Sequence, residues 1–247
     1  MTTQNHIAQY WEEGYTLVHD LVPADLCEAL RTRALEVAHG FHDWGDGAFQ
    51  ILPPDSFKWE DGSYMPIGIQ RPAHYEDIFR NFVENQNLIE AMAALLRGEV
   101  ELFTDQIGVK YDFLDEYAGG VSHYHQDSYY WHIPPELGCN CWFPLQDVDV
   151  EASALGVIPR SHDGWELIEH EQYYDDPPYT TVRSEQPFKR HRIRNKDIDF
   201  TKEIILPMKA GDALFFTNYT WHRAEPNLSG TDKLFYAIAY KRVQRDT

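Results

Sequence analysis

The sequence predicts a mainly β fold, an antiparallel sandwich or barrel buttressed by helices. Helical patterns fill most of the chain before residue 99, and short apolar runs bounded by Gly, Pro, Asp or Asn fill most of the chain after it. The length of 247 residues and a composition that is 43% hydrophobic and 14% aromatic supply enough large side chains for one sizeable core. A single domain is expected over 1–247, with a helical buttress at about 1–98 and a β core at about 99–247.

Taken in order, Gly14 is followed by the apolar run "YTLVH", which reads as a strand. "VPADLCEALRTRALEVAHG" then carries Pro23, Asp25 as a candidate cap, leucine and alanine at helical spacing, and a stop at Gly40. Residues 41–74 hold glycines, prolines and aromatics without a period and read as a long ordered loop. A second helical pattern runs from Tyr75 to Gly98, with a break near Asn85 to Asn87. Strands come next at "VELFT", "QIGVKYDF", "CNCWFPLQDV", "ALGVIP", "EIILPM", "DALFFT" and "KLFYAIAYKRV". Between them, residues 163–195 are polar, acidic in front and basic behind, and suit either a lid over a site or a plain surface excursion.

Acidic residues outnumber basic ones 40 to 21, and the resulting charge of −19 argues against nucleic acid and anionic membrane surfaces as partners. Three cysteines, two of them separated by one residue, read as reduced thiols rather than a disulfide framework or a structural zinc site. With no apolar run near membrane-spanning length and no secretory pattern at the start, a cytoplasmic location is expected. Oligomeric state is not legible.

The segment "SHYHQDSYYWH" places His125 and Asp127 two apart, so on a strand both would face one side and converge on one ion. A later histidine, His222 in "NYTWHRAEPN", comes after an apolar strand and supplies a third ligand. Two histidines and a carboxylate on one face of an octahedron leave three positions open, as in non-haem Fe(II) oxygenases. An H-x-D pair alone reads equally as a polar turn.

The order of four motifs resembles the phytanoyl-CoA dioxygenase family of Fe(II)/2-oxoglutarate oxygenases. "YWEEGYTLVHDLVPADLCEALR" is similar to its opening, "VSHYHQDSYYW" to its H-Q-D segment, "CWFPLQDVDVEASALGVIPRSHDGW" to the next pair of strands, and "MKAGDALFFTNYTWHRAEPNLSGTDKLFYAIAY" to its last segment. The resemblance implies a double-stranded β-helix (jelly-roll, cupin-like) core with N-terminal and central α-helices. It implies Fe(II), 2-oxoglutarate and O₂ as cofactor and co-substrates, with His125, Asp127 and His222 as iron ligands and Gln126 in packing. His123 and His132 are left as neighbours. Lys233 stands eleven residues after His222, where the family has the arginine that grips 2-oxoglutarate, and a lysine offers a point charge instead of a planar fork. Gln106, Trp142 and Lys110 match further co-substrate positions, and Arg160 replaces a turn glycine.

The implied reaction is hydroxylation, or another oxidation, of a C–H bond in a small organic molecule, with release of succinate and CO₂; Asp127 argues against halogenation. Members act on acyl-thioesters, amino-acid-like solutes and secondary metabolites, so the substrate itself is not named. Tyr129, Tyr130, Trp131, Tyr219 and Trp221, with the loop at 57–64, are the aromatics expected around it. The rival readings are a cupin-like metal enzyme that does not use 2-oxoglutarate and a non-enzymatic β-sandwich binding module.

Overall fold

The computed structural model describes residues 2–40, 42–45, 47–52, 58–60, 62–112, 122–174, 180–181 and 187–244. Helix α1 (Gln4–Glu13) starts at Thr3, whose hydroxyl accepts from His6 N while the His6 ring returns to Thr3 N. It stops at Gly14 with φ +86°, where an added Cβ would lie 2.6 Å from His162 Nδ1 and 2.7 Å from Thr220 Oγ1. The Gly14 carbonyl accepts from Thr217 N and Thr220 Oγ1, which locks the helix end to a distant turn.

Strand β1 (Tyr15–Val18) leads into α2 (Ala24–His39), which buries Cys27, Leu30, Ala34 and Val37 at helical spacing. Its N-cap is Pro23, and Asp25 sits inside the first turn with its carboxylate accepting from Leu26 N, so the expected Asp25 cap is displaced by two positions. Residues 41–74 are less loop-like than expected. They contribute β2 (Phe49–Ile51) and β3 (Pro66–Gln70), whose alternation glycine and proline obscure; 41, 46, 53–57 and 61 lie outside the described residues.

Helices α3 (Pro72–Tyr75), α4 (Asp77–Val83) and α5 (Gln86–Leu95) come next, with the expected break where Asn85 caps α5 by accepting from Asn87 N. The two strands expected across 100–113 are one, β4 (Val100–Lys110), and Phe113 lies outside the described residues. The remaining elements are β5 (Ser122–His125), the single helical turn α6 (Ser128–Trp131), β6 (Gly138–Pro144), β7 (Leu155–Val157), β8 (His170–Tyr173), β9 (Thr180–Thr181), β10 (Arg190–Ile193), β11 (Ile204–Leu206), β12 (Ala213–Thr217), β13 (His222–Ala224) and β14 (Lys233–Arg242).

These strands build two facing sheets of a double-stranded β-helix: eight strands in the order β1-β12-β6-β14-β4-β3-β2-β9, and four in the order β11-β7-β13-β5. β1, β2 and β3 belong to the large sheet, so the N-terminal third is not a purely helical buttress. Period-2 alternation explains the layers. On β14, Leu234, Tyr236 and Ile238 join the core under the helices, where Phe82 stacks on Tyr236 with ring centroids 5.5 Å apart. Phe235 and Ala237 instead face the small sheet, with Trp142, Leu214 and Phe216. The expected lid holds a ribbon of β8 and β10 and adds β9 to the edge of the large sheet; 175–179 and 182–186 lie outside the described residues.

Candidate metal centre

The site lies between the sheets. On the small sheet β13 pairs with β5 so that His222 stands opposite His125. Asp127 does not share the strand with His125, as i, i+2 alternation would require. It falls just past β5 in helical conformation (φ −60°, ψ −37°) and begins α6. What holds this turn is Gln126, whose amide donates to Glu166 O at 2.9 Å and Tyr219 O at 3.0 Å and whose oxygen accepts from Ile168 N at 3.0 Å. Ser128 continues the anchoring, with its N–H on Asn218 O and its hydroxyl on Ile133 O.

Both Nε2 atoms, of His125 and of His222, lie 3.6 Å from Asp127 Oδ1, and the three ligand atoms all lie within 4.8 Å of one another. Each Nδ1 faces a backbone carbonyl: His125 that of His123 at 2.8 Å, His222 that of Thr220 at 3.0 Å. A carbonyl only accepts, so both Nδ1 atoms carry a proton, which leaves both Nε2 atoms turned toward Asp127. Burial pushes the His222 imidazole down to about 4, against the pull of Asp127, which keeps it neutral near pH 7. Burial alone would raise Asp127, but His222, His125 and a hydrogen bond from Asn140 outweigh it and hold the carboxyl below its ordinary value. Two imidazole Nε2 atoms and one carboxylate oxygen are a donor set that fits a divalent transition metal. Among the described residues this is the one such group of three.

The three groups form part of the wall of a cavity of about 440 Å³. Gln106, Lys110 and Trp142 line it as expected, and so do Tyr130 and Trp131. Gln106 accepts from Gln70 Nε2 at 3.2 Å, and Trp142 stacks on Phe235, whose ring covers Gly108 so closely that an added Cβ there would lie 2.0 Å from it. Lys110 is only 5% exposed, and its ammonium donates to Glu225 O at 2.6 Å. Burial, then Arg190 and Arg223, lower this amine to about 7 against the opposing effect of Glu225.

Four expected residues stand elsewhere. Lys233 shares the face of Phe235 and Ala237 but sits at the strand end, where its ammonium turns to Asp147 O at 3.4 Å in a surface depression with Lys209 and Asp212. Tyr129 is rotated off the cavity because successive residues of a helical turn diverge by about 100°, and it stacks on His170 at 4.1 Å. Trp221, next to His222 on the chain, faces the opposite side and packs with Tyr124, Ile158 and Ile193. Tyr219 is buried beneath the site, edge-on to Trp165. Arg160 takes φ +60° in place of the glycine, and its side chain pairs with Asp163 and Glu12 rather than the cavity. His123 and His132 lie outside the group of three: His123 meets Arg192 at 3.4 Å, and exposed His132 ends α6.

Sequence reading missed Asn140, Thr104, Phe188 and Arg190, which also line the cavity. Asn140 had a signal, being the lone polar side chain in "CNCWF" and in alternation with Trp142. Phe188 and Arg190 had none, because they arrive from the distant polar excursion.

The family model for phytanoyl-CoA dioxygenase (PhyH) matches residues 10–234. A phytanoyl-CoA dioxygenase domain-containing protein 1 homolog of Dictyostelium discoideum is 29% identical over 133 residues, 54% of this chain. That match spans 45% of the relative's own length. Among solved structures, the epimerase SnoN in complex with Fe³⁺, alpha ketoglutarate and nogalamycin RO superposes with a TM-score of 0.68 at 16% identity, covering 97% of this chain and 83% of that one. EctD from S. alaskensis with 2-oxoglutarate and 5-hydroxyectoine gives 0.71 at 15% identity, over 98% and 77% of the two chains. At such identities these likenesses speak to the fold.

Proposed function

The chain belongs to the phytanoyl-CoA dioxygenase family, and on that premise we propose that it is an Fe(II)- and 2-oxoglutarate-dependent dioxygenase. It oxidises an unactivated C–H bond of a small organic molecule and releases succinate and CO₂. The observation that carries this reading is the convergence of two imidazole Nε2 atoms and one carboxylate oxygen on the wall of a cavity that a buried lysine also lines. His125, Asp127 and His222 hold the iron. The bound metal with 2-oxoglutarate supplies the oxidising power.

The protein's own groups bind, orient and exclude water. Lys110 replaces Lys233 as the partner of the far carboxylate of 2-oxoglutarate, because Lys110 is among the residues lining the cavity and Lys233 is not. Gln106 and Trp142 flank the co-substrate. Tyr130 is held by His191, donating to its carbonyl at 2.8 Å and accepting from its N–H at 2.9 Å, and with Trp131 it forms the substrate wall. A cavity of about 440 Å³ suits a small molecule.

The test is anaerobic addition of Fe(II) and then 2-oxoglutarate, monitored in the visible spectrum. A metal-to-ligand charge-transfer band is expected in the wild type and absent in His125→Ala and His222→Ala. If no band forms at saturating 2-oxoglutarate while Fe(II) still binds, the co-substrate assignment fails and the cupin-like reading takes its place.

A further inference from the structure

Asn140 lies on β6 between Cys139 and Cys141, which face the helix-side core, and its own side chain lines the cavity. It is 5% exposed. Its Nδ2 stands 2.9 Å from Asp127 Oδ2, the oxygen not shared with the two imidazoles. A carboxylate only accepts, so the amide nitrogen must be on that side and the carbonyl oxygen away from it. Oδ1 is then buried without a hydrogen-bond partner. A residue kept for packing would satisfy both ends of its amide or be apolar. Here one end is left open so that the other can hold Asp127.

We propose that Asn140 is a positioning residue that makes Asp127 a one-oxygen ligand, which rests on the proposed metal centre. With Oδ2 tied to the amide, Oδ1 alone faces the imidazoles; a two-oxygen carboxylate would occupy one of the coordination positions that oxidation chemistry needs open.

Mn(II) affinity of the apoprotein tests this, measured calorimetrically for the wild type, Asn140→Leu and Asn140→Ser, together with the visible spectrum of the Co(II)-loaded proteins and the melting temperature without metal. Asn140→Leu should weaken Mn(II) binding about 10- to 100-fold and change the Co(II) bands as Asp127 becomes free to bind through both oxygens. Asn140→Ser keeps a donor on a shorter arm and should fall between; it also stands in if the leucine variant does not fold. A merely structural role would lower the melting temperature and leave the metal affinity and Co(II) spectrum unchanged. Wild-type affinity and wild-type bands in a folded variant overturn the inference. Failure of the wild type itself to take up Mn(II) overturns the metal centre first.

Discussion

Lys110 is the residue on which the proposed co-substrate binding turns. Its amine is lowered from 10.5 to about 7, by burial first and by Arg190 and Arg223 next, so around neutrality part of the population is uncharged until an anion arrives. A carboxylate binds the ammonium form. Affinity for 2-oxoglutarate should therefore hold below pH 7 and fall as pH rises above it, read from anaerobic titrations of the Fe(II) complex between pH 6 and 9. A hydrogen bond to a charged group contributes about 1.5–3 kcal/mol, so Lys110→Met should weaken 2-oxoglutarate at least about tenfold, while Lys233→Met should change it by less than about twofold. The reverse ranking would restore Lys233. At this scale the candidate ligands are legible because histidine and aspartate announce themselves in two short motifs. The different placement of Lys110 and Lys233 is not, since sequence distance from His222 says nothing about Phe235 covering Gly108 and Lys233 ending at the rim.

Elements are legible where alternation is clean and hidden where a few residues join a sheet through irregular chain. β12 and β14 read directly from their apolar runs, whereas β2 and β3 each pair across glycine or proline, and β5 is set by its contact with β13. The junction of α1 and β1 bears most on the site, because Gly14 is bonded to the Thr217–Thr220 turn that precedes His222. Gly14→Ala forces a side chain into φ +86° and drives its Cβ toward His162 and Thr220. A left-handed backbone costs an ordinary residue about 1–3 kcal/mol before any clash, so the urea midpoint should fall by at least that equivalent and Mn(II) affinity should fall with it. β6 gives a second expectation. Burial pushes the Cys139 thiol up to about 12 and Cys27 to about 11, and holds Cys141 well above its ordinary value. All three are buried, so a thiol reagent at pH 8 should label none in the native protein and all three in urea; fast native labelling would place a cysteine at the surface.

Across the whole molecule, the layered plan of helices, large sheet and small sheet was legible from the order of patterns, because each layer needs its own apolar period. The closure of the excursion at 163–195 onto the cavity through Phe188 and Arg190 was not. That closure buries histidines, and with them comes a pH dependence of the entire fold. Burial lowers His123, His170 and His222 each to about 4. His170 shows why: its Nδ1 faces the Ile168 carbonyl and its Nε2 accepts from Gln126 N, so a second proton would break the bond that holds the ligand turn. In the unfolded chain each of these rings has a pKa near 6.5. Between pH 6.5 and 4 the unfolded state thus binds more protons than the native one, and stability must fall as pH falls through that window. Asp127, held below its ordinary value, extends the loss below pH 4. Denaturant titrations of the metal-free protein at half-unit steps from pH 7.5 to 4 should show protons taken up on unfolding, chiefly by these three rings, with His6 and His191, which burial also lowers, adding to the slope. Replacing His123 and His170 by glutamine should reduce that slope, leaving the shares of His222, His6 and His191. A flat profile over this range would mean that the rings are open to solvent, and that the small sheet does not close over the site.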